Sequence, residues 1–124
     1  MGLKALLDTN AIISLLKNQG NLSVILDNYS EIHISVISIL EFQSFEKISE
    51  SDLKIFKSFL SMVNVVGLNH NDDQLLQEII SIRKIKKFKL PDAIIAGTSI
   101  VLKADLFTAD KTFSKIEEIK IINW

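Results

Sequence analysis

Asp8, Glu41, Asp92 and Asp110 are the residues of this 124-residue chain whose types and spacing could do chemistry. Each falls beside a predicted strand end or helix start. Asp8 directly follows the first strand pattern, Glu41 comes shortly after the second, and Asp110 comes two residues after the fourth. Asp92 lies in the first turn of the helix leading into that fourth strand. Carboxylates gathered in one cleft cannot all stay ionised unaided, because like charges at hydrogen-bonding distance raise one another's pKa. Something cationic must compensate. The chain has no cysteine and only His33 and His70 as imidazoles, so the ligands on offer are hard oxygens, which suit Mg²⁺ or Mn²⁺ better than zinc. A divalent ion held by one or two carboxylates, with several waters retained, is the usual arrangement for phosphodiester chemistry.

The elements that must position these acids read as an alternating α/β pattern with a mainly parallel sheet. Strands are expected at residues 4–7, 32–36, 63–67, 106–108 and 120–122, and helices at 11–17, 39–48, 52–60, 71–86 and 91–103. Ser51, Asn71 or its neighbours, and Pro91 serve as caps or first-turn residues. In a doubly wound sheet, functional groups gather at the carboxyl ends of the strands, near the point where strand order reverses. Asp8, Glu41 and Asp110 then share one edge, and a right-handed crossover brings Asp92 to the same edge.

Composition narrows the classes. At 124 residues, 48% hydrophobic and 23% charged, the chain is expected to form one domain, residues 1–124, with a real core and no need of disulfides. The absence of cysteine fits a reducing cytoplasm. Asp8 and Asn10 interrupt the apolar N-terminus, and no apolar run approaches a membrane span, so neither a signal peptide nor membrane insertion is expected. A formal charge of −1 does not advertise nucleic-acid binding, which must come from local patches. One such patch is Arg83, Lys84, Lys86, Lys87 and Lys89, directly before Leu90-Pro91-Asp92, and Lys111 beside Asp110 is a weaker phosphate-contact candidate.

Asp8-Thr9-Asn10, Ser38-x-x-Glu41, Leu90-Pro91-Asp92-Ala93-Ile94-Ile95-Ala96 and Thr108-Ala109-Asp110-x-x-Phe113, in this order and spacing, resemble the successive motifs of PIN-domain nucleases. The similarity is greatest to the VapC-like toxins of toxin–antitoxin pairs and runs from Leu3 to Trp124. The resemblance implies a three-layer α/β/α domain that cleaves RNA with one or two Mg²⁺ or Mn²⁺ ions. It implies that Asp8 and Asp92 bind metal directly or through water, that Asp110 completes the site, and that Glu41 holds a metal water or a second ion. Asn10 and Thr108 match accompanying polar positions that orient carboxylates or waters, with Ser38 a lesser supporting candidate. The reaction implied is in-line attack of metal-activated water on an RNA phosphodiester. Partners implied are an RNA substrate, a cognate antitoxin and a second copy in a homodimer, with Phe42, Phe45, Phe56 and Phe59 as candidate surface residues.

Each acid also has a structural reading. Asp8 can cap the helix beginning near Asn10, and Asp110 the short helix containing Phe113. Ser38 and Glu41 form a capping-box pattern, and Pro91-Asp92 is ordinary first-turn chemistry. The uses are compatible, since a carboxylate accepting one amide keeps other lone pairs for a metal. His33 and His70 are read as structural. The alternatives are a PIN nuclease of RNA processing outside toxin systems, and a nonenzymatic α/β module that binds nucleic acid. A dehalogenase-type phosphatase would want an acid where Asn10 stands, and a phosphoacceptor domain would want an acidic pair that this chain lacks.

Overall fold

The computed structural model describes residues 2–124. Five strands, β1 (Lys4–Leu7), β2 (Glu31–Ser35), β3 (Asn64–Val66), β4 (Asp105–Phe107) and β5 (Ile121–Ile122), form one sheet in the order β3-β2-β1-β4-β5. All neighbours pair in parallel, with Leu6 opposite both His33 and Leu106. The strand order runs outward in both directions from β1, so the switch in winding lies between β1 and β4, at the end of the strand that Asp8 follows.

Helices α1 (Thr9–Leu16), α2 (Leu22–Leu26), α3 (Val36–Gln43), α4 (Glu50–Leu60), α5 (Asp73–Lys86) and α6 (Leu90–Leu102) cover the two faces. The period-two alternation of a strand splits the core accordingly. Ala5, Leu7, Ile34 and Phe107 pack with Ile12, Leu22, Phe42, Phe56 and Phe59 on one face. Leu6 and Leu106 pack with residues of α5, α6 and the 3₁₀ turn Lys111–Lys115 on the other. The result is the three-layer α/β/α arrangement expected, with a sheet that is parallel throughout.

On α6, every residue from Ala93 to Ser99 is buried. Small residues let α5 press closely: a Cβ built on Gly97 would stand 2.8 Å from Ile79 Cγ1. The buried hydroxyls of α6 are satisfied locally, Thr98 donating to the Ile94 carbonyl at 2.7 Å and Ser99 to that of Ala104 at 2.8 Å. This packing fixes the start of α6, and therefore Asp92, against the sheet.

Several expected boundaries move. The second strand stops at Ser35, whose hydroxyl accepts from the Ile37 amide at 3.1 Å, so α3 starts directly where the strand ends rather than at 39. Ser38 therefore lies inside α3 and is not a cap, which corrects the Ser38–Glu41 capping box. A β-branched run, Ile34 to Ile39 interrupted by two serines, reads as strand until the serine cap is located. Ser49 rather than Ser51 caps α4, accepting from the Asp52 amide at 3.0 Å, whereas the cap of α5 is Asp72, one of the neighbours of Asn71 expected there. The short helix α2 has no counterpart in the expected elements: five residues give little more than one turn and too short a periodic signal.

Candidate functional site

Asp8 is the hub. Its amide donates to the Phe107 carbonyl at 3.0 Å, extending the β1–β4 pairing by one residue, after which the chain turns into α1 with Asp8 as N-cap. Only 8% of Asp8 is exposed. Its Oδ1 accepts from the Thr9 amide at 2.8 Å, and its Oδ2 accepts from the Thr108 hydroxyl at 2.9 Å. Thr108 Oγ1 in turn accepts from the Asp110 amide at 3.0 Å. Asn10 spans the same gap: its Oδ1 accepts from the Ala109 amide at 3.0 Å, and its Nδ2 lies 3.5 Å from both Asp8 Oδ2 and Thr108 Oγ1. The turn after β1 and the turn after β4 are thus stitched together around one carboxylate.

The other acids arrive from separate elements. Asp92 is half-buried in the first turn of α6. Asp110 is exposed and caps the 3₁₀ turn through Thr112, at 2.9 Å. Glu41 is exposed on α3 and accepts from the Thr9 hydroxyl at 2.7 Å. The role of Thr9 in joining two acids was not apparent from the motif, because an Asp-Thr-Asn sequence does not say which helix its hydroxyl faces. Ser38, by contrast, keeps a fully buried hydroxyl without a hydrogen-bond partner and touches none of these acids through it.

Electrostatics link the group. Burial pushes the Asp8 carboxyl above its ordinary range, Thr9 and Thr108 pull it back through their hydrogen bonds, and the charges of Glu41 and Asp92 push it up again. Asp92 is likewise raised, first by burial, then by Asp110 and Glu41, with Lys89 opposing. Asp92 thus feels both Asp110 and Glu41, Asp8 feels Glu41 and Asp92, and these charges add to the burial that raises the proton affinity of Asp8 and Asp92. Among the described residues no three Asp, Glu or His side chains converge tightly enough to make a ready coordination set. The donor set nevertheless fits a hard divalent cation, which needs only one or two protein carboxylates and keeps its waters. A cation here would relieve the repulsion that raises Asp8 and Asp92.

Six exposed cations flank Asp92 and Asp110 along the chain. Arg83, Lys84 and Lys86 occupy the last turn of α5, Lys87 turns the chain in the left-handed conformation at φ 57°, and Lys89 is the N-cap residue of α6. Lys111 opens the 3₁₀ turn after Asp110. All six are exposed, and among the described residues no lysine or arginine lies within 4.0 Å of a carboxylate. His33 pairs instead with Glu31, Nε2 to Oε1 at 3.0 Å, and His70 lies in the exposed turn before α5, both away from the four acids in the chain's hydrogen bonding.

Two apolar grooves lie elsewhere, over the helices of the α1 face. One, of about 240 Å³, is lined by Ile13, Leu16, Phe42, Phe45, Ile48 and Ile55 and edged by Lys17, Lys47 and Asp52. The other, of about 650 Å³, runs along Leu15, Leu26, Ile32, Phe59, Met62 and Val63. Of the four phenylalanines offered as surface candidates, Phe42, Phe56 and Phe59 are buried in the core, Phe56 stacking on Phe42 at 4.1 Å, whereas Phe45 is 45% exposed.

Residues 5–119 match the PIN domain family. The chain belongs to the PIN-domain family. A comparison with curated protein sequences gives no match. Among solved structures, the chain is similar to one in the DNA-bound VapBC from Salmonella typhimurium, with 25% identity, TM-score 0.81 and 98% of each chain covered. It is similar to a chain of a toxin–antitoxin complex from Klebsiella pneumoniae, with 26% identity, TM-score 0.77 and 95% of each covered. Its fold also matches a chain of VapBC2 from Rickettsia felis, bound to a DNA fragment from the promoter, with 22% identity and TM-score 0.81 over 98% and 99%. No helix among the described residues is long and apolar enough to cross a membrane.

Proposed function

We propose that this PIN-domain chain is a single-domain, metal-dependent endoribonuclease that acts in the cytoplasm as the toxin of a type II toxin–antitoxin pair. The observation that carries the reading is the linkage of the acids through Asp92, which feels Glu41 and Asp110, while Asp8 feels Glu41 and Asp92 and is raised together with Asp92. Capping alone gives no reason for acids from four elements to repel one another at the same edge.

In this reading Asp8 and Asp92 hold the cation, Asp110 completes the site and Glu41 holds a metal water or a second ion. Bound Mg²⁺ or Mn²⁺ supplies a more acidic water and neutralises charge on the phosphodiester. Thr108 and the Thr9 amide fix the Asp8 carboxylate so that its remaining lone pairs are aimed rather than freely rotating, which lowers the reorganisation needed at reaction. Asn10 locks the turn that carries Asp110. Arg83, Lys84, Lys86, Lys87, Lys89 and Lys111 contact RNA phosphates on either side of the scissile bond and offset the negative field of the acids.

The partner reading draws on the likeness to chains of VapBC and of the Klebsiella toxin–antitoxin complex. An antitoxin segment covers the apolar grooves of the α1 face, and two copies of the chain form a homodimer. Purified protein should cleave RNA with Mn²⁺ or Mg²⁺, fall silent in EDTA, and lose activity in both Asp8→Asn and Asp92→Asn prepared identically. Mn²⁺ should raise the melting temperature of the wild type and leave Asp8→Asn unmoved. Equal cleavage by wild type and both variants would sink the catalytic assignment. Growth arrest on expression, relieved by the product of an adjacent small gene, tests the toxin role; an adjacent gene without that effect counts against it.

A further inference from the structure

Glu41 reaches the acid cluster differently from the others. Asp8 is buried, Asp92 is set by the packing of α6, and Asp110 is tied down by its own cap bond. Glu41 is exposed on α3, where an unpartnered glutamate would sample several rotamers and turn away from the charges of Asp8 and Asp92. A hydrogen bond from the Thr9 hydroxyl opposes that, at 2.7 Å. The same residue donates its backbone amide to Asp8 Oδ1 at 2.8 Å. Thr9 also belongs to the first turn of α1, whose amides are free to face negative charge. One residue thus grips two carboxylates that repel each other, through two different donors.

We infer that Thr9 is a positioning residue that holds Glu41 beside Asp8 and so sets this acid pair toward the divalent cation. The inference rests on the ribonuclease reading for its purpose, but not for its geometry. Glu41 has the longest side chain of the four acids and is exposed, so it has much to lose from a missing donor. The bond is charge-assisted and short, which suits an ionised carboxylate as acceptor. Thr9 is neither a cap nor a core residue: Asp8 is the N-cap of α1, and the Thr9 side chain is half-exposed. Its hydroxyl has no backbone acceptor that would give it a purely local use.

The test titrates Mn²⁺ into metal-free full-length protein, counting free Mn²⁺ by electron paramagnetic resonance. It compares wild type, Thr9→Val, Thr9→Ser, Glu41→Gln and the Thr9→Val/Glu41→Gln pair, with melting curves for each. Thr9→Val should weaken Mn²⁺ binding about tenfold, the lower end for loss of a group that orients a ligand, because this bond is exposed. Thr9→Ser should restore binding to within about twofold of wild type, since the hydroxyl is retained. In the Glu41→Gln background Thr9→Val should change nothing further, because the carboxylate it holds is gone. RNA cleavage should follow the same order in kcat with little change in KM.

A Thr9→Val protein that binds Mn²⁺ like wild type while Glu41→Gln does not would overturn the inference and leave the nuclease reading intact. A Thr9→Val effect that persists undiminished in the double variant would overturn it too, by showing that Thr9 acts through another group. If neither Asp8→Asn nor Glu41→Gln alters Mn²⁺ binding, the failure belongs to the metal-dependent reading itself. Should Thr9→Val melt far below wild type, Thr9→Ala takes its place in each comparison.

Discussion

Replacing Thr108 by valine removes one hydroxyl and little else, since the two side chains have nearly the same shape and the site is 1% exposed. The lost hydroxyl donates to Asp8 Oδ2 at 2.9 Å and accepts from the Asp110 amide at 3.0 Å. A hydrogen bond to a charged group contributes about 1.5 to 3 kcal/mol, and the Asp110 amide, at an exposed turn, finds water instead at small cost. The expected loss is roughly 2 kcal/mol, or about 8 °C in melting temperature for a domain of this length. Its pH dependence identifies the cause. Burial already holds Asp8 above the ordinary value near 3.8, and the Thr108 bond is one of the two that pull it down. Without that bond the folded-state value climbs further, while the unfolded value stays put. The folded chain then binds the proton more tightly than the unfolded one, so the penalty is complete above the folded pKa and fades as pH falls through it toward 3.8. Scanning calorimetry in EDTA from about pH 4 to about pH 8 should therefore show the deficit of Thr108→Val growing with pH, with Thr108→Ser close to wild type throughout. A deficit under about 1 kcal/mol at every pH, or one that does not change with pH, would refute the view that this hydroxyl holds the Asp8 charge.

Asp8→Asn should melt higher than wild type in metal-free neutral buffer, because it removes a charge that burial and two neighbouring acids disfavour; the gain should shrink as pH falls and wild-type Asp8 takes up its proton. The same variant should be inactive on RNA, so that stability and cleavage move in opposite directions. Gly97→Ala should destabilise the fold by about 1 to 3 kcal/mol, since its Cβ would stand 2.8 Å from Ile79 Cγ1; denaturant unfolding would show it, and the cost should be smaller in an Ile79→Ala background, where that carbon is gone. Ser38→Ala should raise the melting temperature by a few degrees, about 1 kcal/mol, because its buried hydroxyl has no partner to lose.

The α/β order and the parallel sheet were legible because each strand carries a short apolar run and each crossover a longer amphipathic one, and these signals survive without any neighbour. The sharing of one edge by Asp8, Asp92, Glu41 and Asp110 followed from chain direction alone. The start of α3 was hidden because Val36, Ile37 and Ile39 favour strand locally, and only the Ser35 cap and the end of β2 pairing decide where the helix begins. The Thr9–Glu41 contact was hidden for a different reason: the two residues are far apart in the chain and on different helices, so no spacing rule reports their distance. Phe56 and Phe45 look alike in sequence, but Phe56 lies on the covered side of α4 whereas Phe45 falls just past the end of α3, where the chain leaves the core.

The stitch between Asp8 and Thr108 joins residues separated by 100 positions. Translation delivers Asp8 a hundred residues before Thr108, and β1 has no β4 to pair with until residues 105–107 have been made. Domains form as units once their distant pairings are available. A nascent or prematurely terminated chain lacking the last strands therefore carries the acid without the hydroxyl that holds it, the turn that brings Asp110, or the sheet neighbour that buries it. The surroundings of the Asp8 carboxylate are thus assembled only after a hundred further residues have been joined to the chain.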